Sequence, residues 1–163
     1  MTFGIRSAVP ADGNAIWTLL EPVFRPGDTY AVDPEIGRDA ALSYWMAPAH
    51  RVFVAHGADG ALLGTCYLRA NQGGGGAHVA NAAFATAPAA RGRGVAMAML
   101  DHAMSAARAA GFEAMQFNFV LESNVGAVRL WTRAGFKVVG RIPRAFRLPS
   151  GDYTDALVMY RSL

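Results

Sequence analysis

The chain has 163 residues, 53% of them hydrophobic and 17% charged, which is the length of one domain with enough apolar material for a core and too little charge for disorder. The net charge is +3 and the pI about 9.4, but the basic residues are mostly arginines scattered from Arg91 onward. No compact basic run occurs, so a small polyanionic cofactor accounts for the bias as well as nucleic acid would, and nucleic-acid binding is not expected. No apolar run approaches the roughly 20 residues of a membrane helix, no signal peptide is visible in Met1 to Val9, and the lone Cys66 excludes an internal disulfide and a multi-cysteine zinc site. One cytoplasmic domain over residues 1–163, with no metal and no membrane partner, is the expectation.

Phe3 to Val9 alternates polar and apolar residues as a strand does. Pro10-Ala11-Asp12 offers a helix start, with Ile16, Leu19, Leu20, Val23 and Phe24 following at helical spacing. Arg25 to Pro34 reads as loop, and Glu35 to about Met46 as a second helix. Arg51 to His56 and Leu62 to Arg69 form a hairpin around Ala58-Asp59-Gly60. Gly73 to Gly76 reads as a flexible hairpin loop. Ala77 to Ala87 is a strand stopped by Pro88, and Gly94 to Ala110 a helix closed by Gly111. Ala114 to Leu121 is a strand, Asn124 to Ala134 a helix closed by Gly135, and Phe136 to Gly140 and Ala156 to Arg161 are strands. Pro143 to Asp152 is loop or a short strand. The order β-α-α-β-β-β-α-β-α-β-β describes a mixed α/β domain with one central sheet.

The strongest chemical signal is the junction after Pro88, where Arg91-Gly92-Arg93-Gly94-Val95-Ala96 opens a helix. A helix N-terminus presents unpaired N–H groups and a partial charge of about +0.5, so it binds an anion through backbone alone. Gly92 and Gly94 let the backbone approach such an anion, and Arg91 and Arg93 add charge. The stretch lacks the third glycine of a dinucleotide fingerprint and the Gly-Lys-Ser/Thr of a P-loop.

These residues resemble motif A of the GNAT superfamily, in which Arg91, Gly94 and Ala96 fill the pattern Gln/Arg-x-x-Gly-x-Gly/Ala. Asn124, Ala127, Leu130, Gly135 and Phe136 resemble the superfamily's motif B. The resemblance implies the GNAT fold, with acetyl-CoA as co-substrate and its pyrophosphate on the motif A amides. It implies that the strand before motif A splays from the next strand, so that Phe84 and Thr86 pair with the pantetheine arm, and that Asn124 hydrogen-bonds the cofactor near its pantetheine end. It implies transfer to an amine by direct attack in a ternary complex, and a homodimer, since the family often dimerises. One position departs from the family pattern: Trp131 stands where many members have a proton-donating tyrosine, and indole is no useful acid. Trp131 is therefore expected to pack beside the cofactor. Tyr153 and Tyr160 are candidate proton donors, and His78, Asn81 and Glu122 candidate bases.

Asn81 and Asn118 lie among apolar residues on expected central strands, where asparagine is poor by propensity and an unpaired amide costs about 1–3 kcal/mol. The segments Val79-Ala80-Asn81-Ala82-Ala83-Phe84, Gln116-Phe117-Asn118-Phe119-Val120 and Glu122-Ser123-Asn124 look like fungal azetidine-2-carboxylate N-acetyltransferases. That likeness implies a small-molecule acceptor, an amino acid or proline analogue, oriented by Asn81 and Asn118. Acetylation of protein N-termini or lysines, and a non-catalytic CoA-binding domain of the same fold, remain the alternatives.

Overall fold

The computed structural model describes residues 2–163 and has the expected element order. Strand β1 (Phe3–Ser7) is followed by α1 (Gly13–Phe24), α2 (Arg38–Trp45), β2 (Arg51–Gly57), β3 (Leu62–Ala70) and β4 (Val79–Thr86). Helix α3 (Val95–Ala109), β5 (Ala114–Leu121), α4 (Val125–Arg133), β6 (Lys137–Arg147) and β7 (Tyr153–Ser162) complete the chain. The seven strands form one sheet in the order β1-β2-β3-β4-β5-β7-β6. Its only parallel pair among the described residues is β4 with β5, and that pairing covers just Val79 with Ala114 and Ala80 with Met115. Beyond Ala80 the two strands run apart, as the expected splay requires.

Each face of the sheet buries a helix pair. Ile16, Leu19, Leu20 and Phe24 recur on one stripe of α1 and pack with Ala41 and Trp45 of α2 against Val54, Tyr67 and Ala85. On the other face Val95, Met99, Leu100, Ala103, Met104 and Ala107 of α3 cover Phe53, Cys66, Leu68, Ala80 and Ala82. Each such large apolar side chain contributes about 1.5–3 kcal/mol on burial. Gly64 lets α3 approach closely, since a Cβ there would lie 2.6 Å from Met99 Cε.

Some boundaries differ from expectation. Helix α2 begins at Arg38 rather than Glu35, because Asp33 folds the preceding residues into a turn: its Oδ1 accepts from Glu35 N at 2.9 Å and its carbonyl from Ile36 N at 2.9 Å. Strand β6 continues through Pro143 to Arg147, where loop was one expectation. It lies at the sheet edge, where proline costs no ladder bond. The ladder is irregular between Ile142 and Phe146, and Asp155 Oδ1 accepts from the N–H of Arg144, whose φ is +50°. The turn to β7 is then tight, with Leu148 N donating to Asp152 O at 2.8 Å. Gly74–Gly76 forms a single 3-10 turn in the β3–β4 connection.

Asp12 ties β1 to α1. Its carboxylate accepts from both guanidinium nitrogens of Arg6 at 2.7 and 2.8 Å and from Val9 N at 2.8 Å. The Arg6 hydrogen bonds, opposed by burial and aided by the Val9 amide, hold the Asp12 carboxyl down to about 2 from its usual 3.8. A depressed carboxyl pKa adds stability above the unfolded value, and that stability disappears as pH falls through the folded value. Thermal unfolding of wild type and Asp12→Asn should therefore differ most above about pH 5, with wild type melting higher, and converge near pH 2. A difference that stays constant across this range contradicts the assignment.

Candidate active site

The gap between β4 and β5 is the feature around which the site is built. Backbone groups alternate along a strand, and on β4 the odd-numbered residues turn toward β3: Val79 O accepts from Asn71 N at 2.8 Å and Ala87 N donates to Leu63 O at 2.9 Å. The even-numbered residues face the other way. His78 O accepts from Glu113 N before β5, but Phe84 and Thr86 face the gap, where β5 no longer runs alongside. On the far side β5 carries a bulge. Phe117 pairs with Met159 and Val120 with Leu157, so Asn118 and Phe119 oppose Val158 alone. Phe117 and Val120 consequently both reach the α3 core, and Phe119 is left 39% exposed.

Two adjoining cavities fill the gap. The outer, of about 390 Å³, is lined by Asp28, Thr29, Tyr30, Phe84, Thr86, Arg91 and Asn124 among others. The inner, of about 300 Å³, shares Thr29, Tyr30, Phe84 and Asn124 and extends to Tyr44, Tyr67, Arg69, Asn81, Asn118 and Trp131. Of the expected site residues, Asn81, Asn118, Phe84, Thr86, Arg91, Asn124 and Trp131 thus line this continuous space. Gly92, Arg93, Gly94, Val95 and Ala96 line neither cavity and sit beside Arg91 at the start of α3. There Gly92 and Gly94 have φ of +74° and +79°, and no atom lies within 4 Å of a Cβ built on either. Ala98 is the first residue whose N–H is taken up by the helix, at 3.0 Å from Gly94 O, which leaves the amides of Val95, Ala96 and Met97 without intrahelical acceptors. The Val95 side chain is core, 1% exposed, so only its backbone can serve a ligand.

A chain of amides, of which Asn81 and Asn118 line the inner cavity, has its polarity fixed by chemistry. Arg69 Nε can only donate, so Asn81 Oδ1 accepts it at 3.3 Å. Asn81 Nδ2 donates to Gln116 O at 2.9 Å, and this bond joins β4 to β5 at the first position where their backbones no longer pair. Gln116 Nε2 donates to Asn118 Oδ1 at 2.9 Å, and Asn118 Nδ2 to Asn71 Oδ1 at 2.6 Å. Asn124 caps α4, its Oδ1 accepting from Ala127 N at 3.3 Å. Trp131 packs between Phe84 and Phe117, ring centroids 5.1 and 5.0 Å away.

The sequence reading missed three tyrosines, Tyr30, Tyr44 and Tyr67. Trp45 organises them: its Nε1 donates to Thr65 Oγ1 at 3.1 Å, and its ring lies 6.0 Å from Tyr30, 6.4 Å from Tyr44 and 5.0 Å from Tyr67. The Tyr30 hydroxyl donates to the gap-facing carbonyl of Phe84. Burial pushes the Tyr30 phenol well up, and Tyr67 and Tyr44 act in the same sense. Burial, then the Tyr44 hydrogen bond, raises Tyr67 too. Of the expected proton donors and bases, Asn81 alone lines the inner cavity, and the other four lie elsewhere. Tyr153 is exposed under the Arg144 guanidinium, and Tyr160 sits in the sheet opposite Gln116 and Lys137. His78 is exposed, and Glu122 is exposed and paired with Arg141 at 2.6 Å. None of these four lines the inner or outer cavity.

The space suits an elongated ligand with an anionic end. Thr29 Oγ1 is the one buried side-chain polar atom without a hydrogen-bond partner among the described residues, and Thr29 lines both cavities. An unpartnered buried hydroxyl costs about 1–3 kcal/mol, which a ligand amide would offset. The gap-facing backbone of Phe84 and Thr86 and the open α3 amides fit the pantetheine arm and pyrophosphate of acetyl-CoA in the same way. Among the described residues no helix is long and apolar enough to cross a membrane.

Comparison with known proteins agrees with this geometry. A GCN5-related N-acetyltransferase from Kribbella flavida is 43% identical with a TM-score of 0.93, over 99% of this chain and 98% of that one. A phosphinothricin acetyltransferase from Sinorhizobium meliloti, solved in complex with acetyl-CoA, is 23% identical with a TM-score of 0.87, over 100% of this chain and 89% of that one, a likeness of fold. The N-acetyltransferase aca1 of Schizosaccharomyces pombe is 33% identical over 98 residues, 60% of this chain and 47% of that protein, so the chain spans about half the length of that curated relative. The Acetyltransferase (GNAT) family profile matches residues 14–136, and the chain, with its split sheet and open α3 N-terminus, belongs to that family.

Proposed function

We propose that the chain is a single-domain, cytoplasmic N-acetyltransferase that uses acetyl-CoA to acetylate the amine of a small molecule of the amino-acid or proline-analogue class. The observation that carries this reading is the continuous space from Arg91, through the β4–β5 gap, to a chamber lined by amides and hydroxyls. At about 300 Å³ that chamber lies at the small end of ligand pockets, which favours a small acceptor over a protein tail. The exposed Val138, Val139 and Ile142 on edge strand β6 support association of two copies.

Acetyl-CoA, when bound, supplies an activated thioester carbonyl. The amides of Val95, Ala96 and Met97, with Gly92 and Gly94 keeping the approach open and Arg91 and Arg93 adding charge, hold its pyrophosphate. Phe84, Thr86 and Thr29 offer hydrogen-bonding groups to its pantetheine arm, and Asn124 and Trp131 wall the passage. Asn81 and Asn118 orient the attacking amine in the ternary complex: each side-chain oxygen accepts one bond from the protein and keeps a second lone pair. Tyr30, Tyr44 and Tyr67 replace Tyr153 and Tyr160 as hydroxyl protons available to the departing thiolate.

The inner cavity is lined by no carboxylate and no histidine, so the amine arrives neutral or loses its proton to water. A lysine-like amine is neutral in only a few parts in ten thousand at pH 7, a cost of about 4.6 kcal/mol. With Tyr30 and Tyr67 pushed up by burial, CoA release at limiting amine should rise tenfold per pH unit up to the amine's own pKa. Thiol-coupled assays over a panel of amines test this. No release with any amine contradicts the transferase reading, and a break near pH 6–7 common to all amines points instead to a base on the protein.

Asn81 also braces the sheet, whereas Asn118 is half-buried at a bulge. Asn118→Ala should lower kcat/KM for the amine about tenfold or more with little change in Tm or acetyl-CoA affinity. Asn81→Ala should lower kcat/KM for the amine to a similar degree and, unlike Asn118→Ala, also lower Tm, since Gln116 O loses its donor. If activity in both variants merely follows the folded fraction, neither residue acts on the amine.

A further inference from the structure

Arg69 is the one charged side chain lining the inner cavity, and no aspartate or glutamate lines it. Elsewhere Arg6, Arg25, Arg38 and Arg141 are each paired with a carboxylate. Arg69 is half-buried on β3 and makes no ion pair among the described residues. Its one hydrogen bond among the described residues runs from Nε to Asn81 Oδ1. A guanidinium keeps its charge at every physiological pH and carries five N–H donors in a planar fork, so most of its capacity is unused. Beside it, Tyr44 and Tyr67 bring their hydroxyls within 3.2 Å of each other. Only one proton is needed for that bond, so the pair keeps another to donate. Tyr67 lies two residues from Arg69 on the same strand face and senses its charge.

We infer that Arg69 is a carboxylate-binding subsite and that the acceptor is an α-amino or α-imino acid. This rests on the reading of the inner cavity as the acceptor chamber. A planar fork matches a carboxylate with two parallel hydrogen bonds, and an uncompensated cation in a partly closed chamber attracts an anion. The same charge opposes a lysine side chain or a polyamine, whose second cation finds no partner there. The position of the amine follows. Arg69 is hydrogen-bonded to Asn81, the amide proposed to orient the nucleophile, so the carboxylate and the amine must sit within one residue's reach. An α-amino acid separates them by a single carbon, and an ω-amino acid by several.

The inference is tested by calorimetry on the full chain saturated with CoA. Proline, azetidine-2-carboxylate, leucine and methionine are each titrated against their own carboxamide, and 6-aminohexanoate serves as the ω-amino control. At least one acid should bind about tenfold or more tighter than its carboxamide and than 6-aminohexanoate, as expected for a charge-assisted pair. Arg69→Gln should shrink the preference over the carboxamide to within about threefold, Arg69→Lys should keep part of it, and acetyl-CoA affinity should change less than about twofold in both. Equal binding of acids and carboxamides, no binding anywhere in the panel, or a preference that survives in Arg69→Gln overturns the inference. The transferase reading fails separately: carboxylate binding as described, with no CoA released from any amine, would sink that reading and leave this one standing. Turnover without preference for a carboxylate does the reverse.

Discussion

After Ala80 and Met115 the ladder between β4 and β5 stops, and everything that gives this protein a site follows from that parting. A strand in the middle of a sheet normally spends both rows of backbone groups on its neighbours. Here β4 keeps β3 along its whole length but loses β5 after two residues, so a row of N–H and C=O groups faces open space inside a folded domain. Buried backbone groups left without partners are costly and rare. The structure tolerates them because two helices, a long loop and a bulge hold the edges of the gap apart.

The bracing is specific. At the fork, Asn81 supplies from its side chain the bond that the backbone no longer makes, reaching Gln116 O across the split. Along β5 the bulge at Asn118 and Phe119 interrupts the ladder to β7, which resumes at Val120 and Leu121, where β4 no longer pairs with β5. Phe84, Phe117 and Trp131 fill the α4 side with interlocked rings, and Tyr30 reaches in from the α1–α2 connection to the Phe84 carbonyl. That hydroxyl contact is local and replaceable, so a ligand arm lying along β4 can take its place. The residues that keep the gap open are therefore also its lining, and chemistry and stability meet in the same side chains. Asn81 is the sharpest case, since it is a brace toward Gln116 and a polar group toward the chamber.

Much of this was legible in the sequence because it is written locally. The strand-to-helix junction with Gly92 and Gly94 and the cap at Asn124 follow local rules, the misplaced amides at Asn81 and Asn118 break one, and each lies in or beside the gap. Element order was equally legible, since α1 and α3 carry clear apolar stripes. What escaped depends on long-range geometry. Tyr30, Tyr44 and Tyr67 belong to a loop, a helix and a strand, and only the burial of Trp45 against Thr65 brings them together. The β5 bulge left no mark, because Phe117 and Phe119 alternate as in a regular strand while the structure buries Phe117 and Val120 instead. Tyr153, Tyr160, His78 and Glu122 were plausible by residue type alone, and their strands carry them away from the gap.

The central claim is that the unpaired edge of β4 is the binding surface for the cofactor arm. Amide hydrogen exchange, resolved by residue with and without saturating acetyl-CoA, tests it most directly. The account predicts that the amides of Phe84 and Thr86 slow markedly when acetyl-CoA binds, while those of Ala83 and Ala85, already turned toward β3, change little. Saturable acetyl-CoA binding that leaves Phe84 and Thr86 exchanging at their free rates would contradict it.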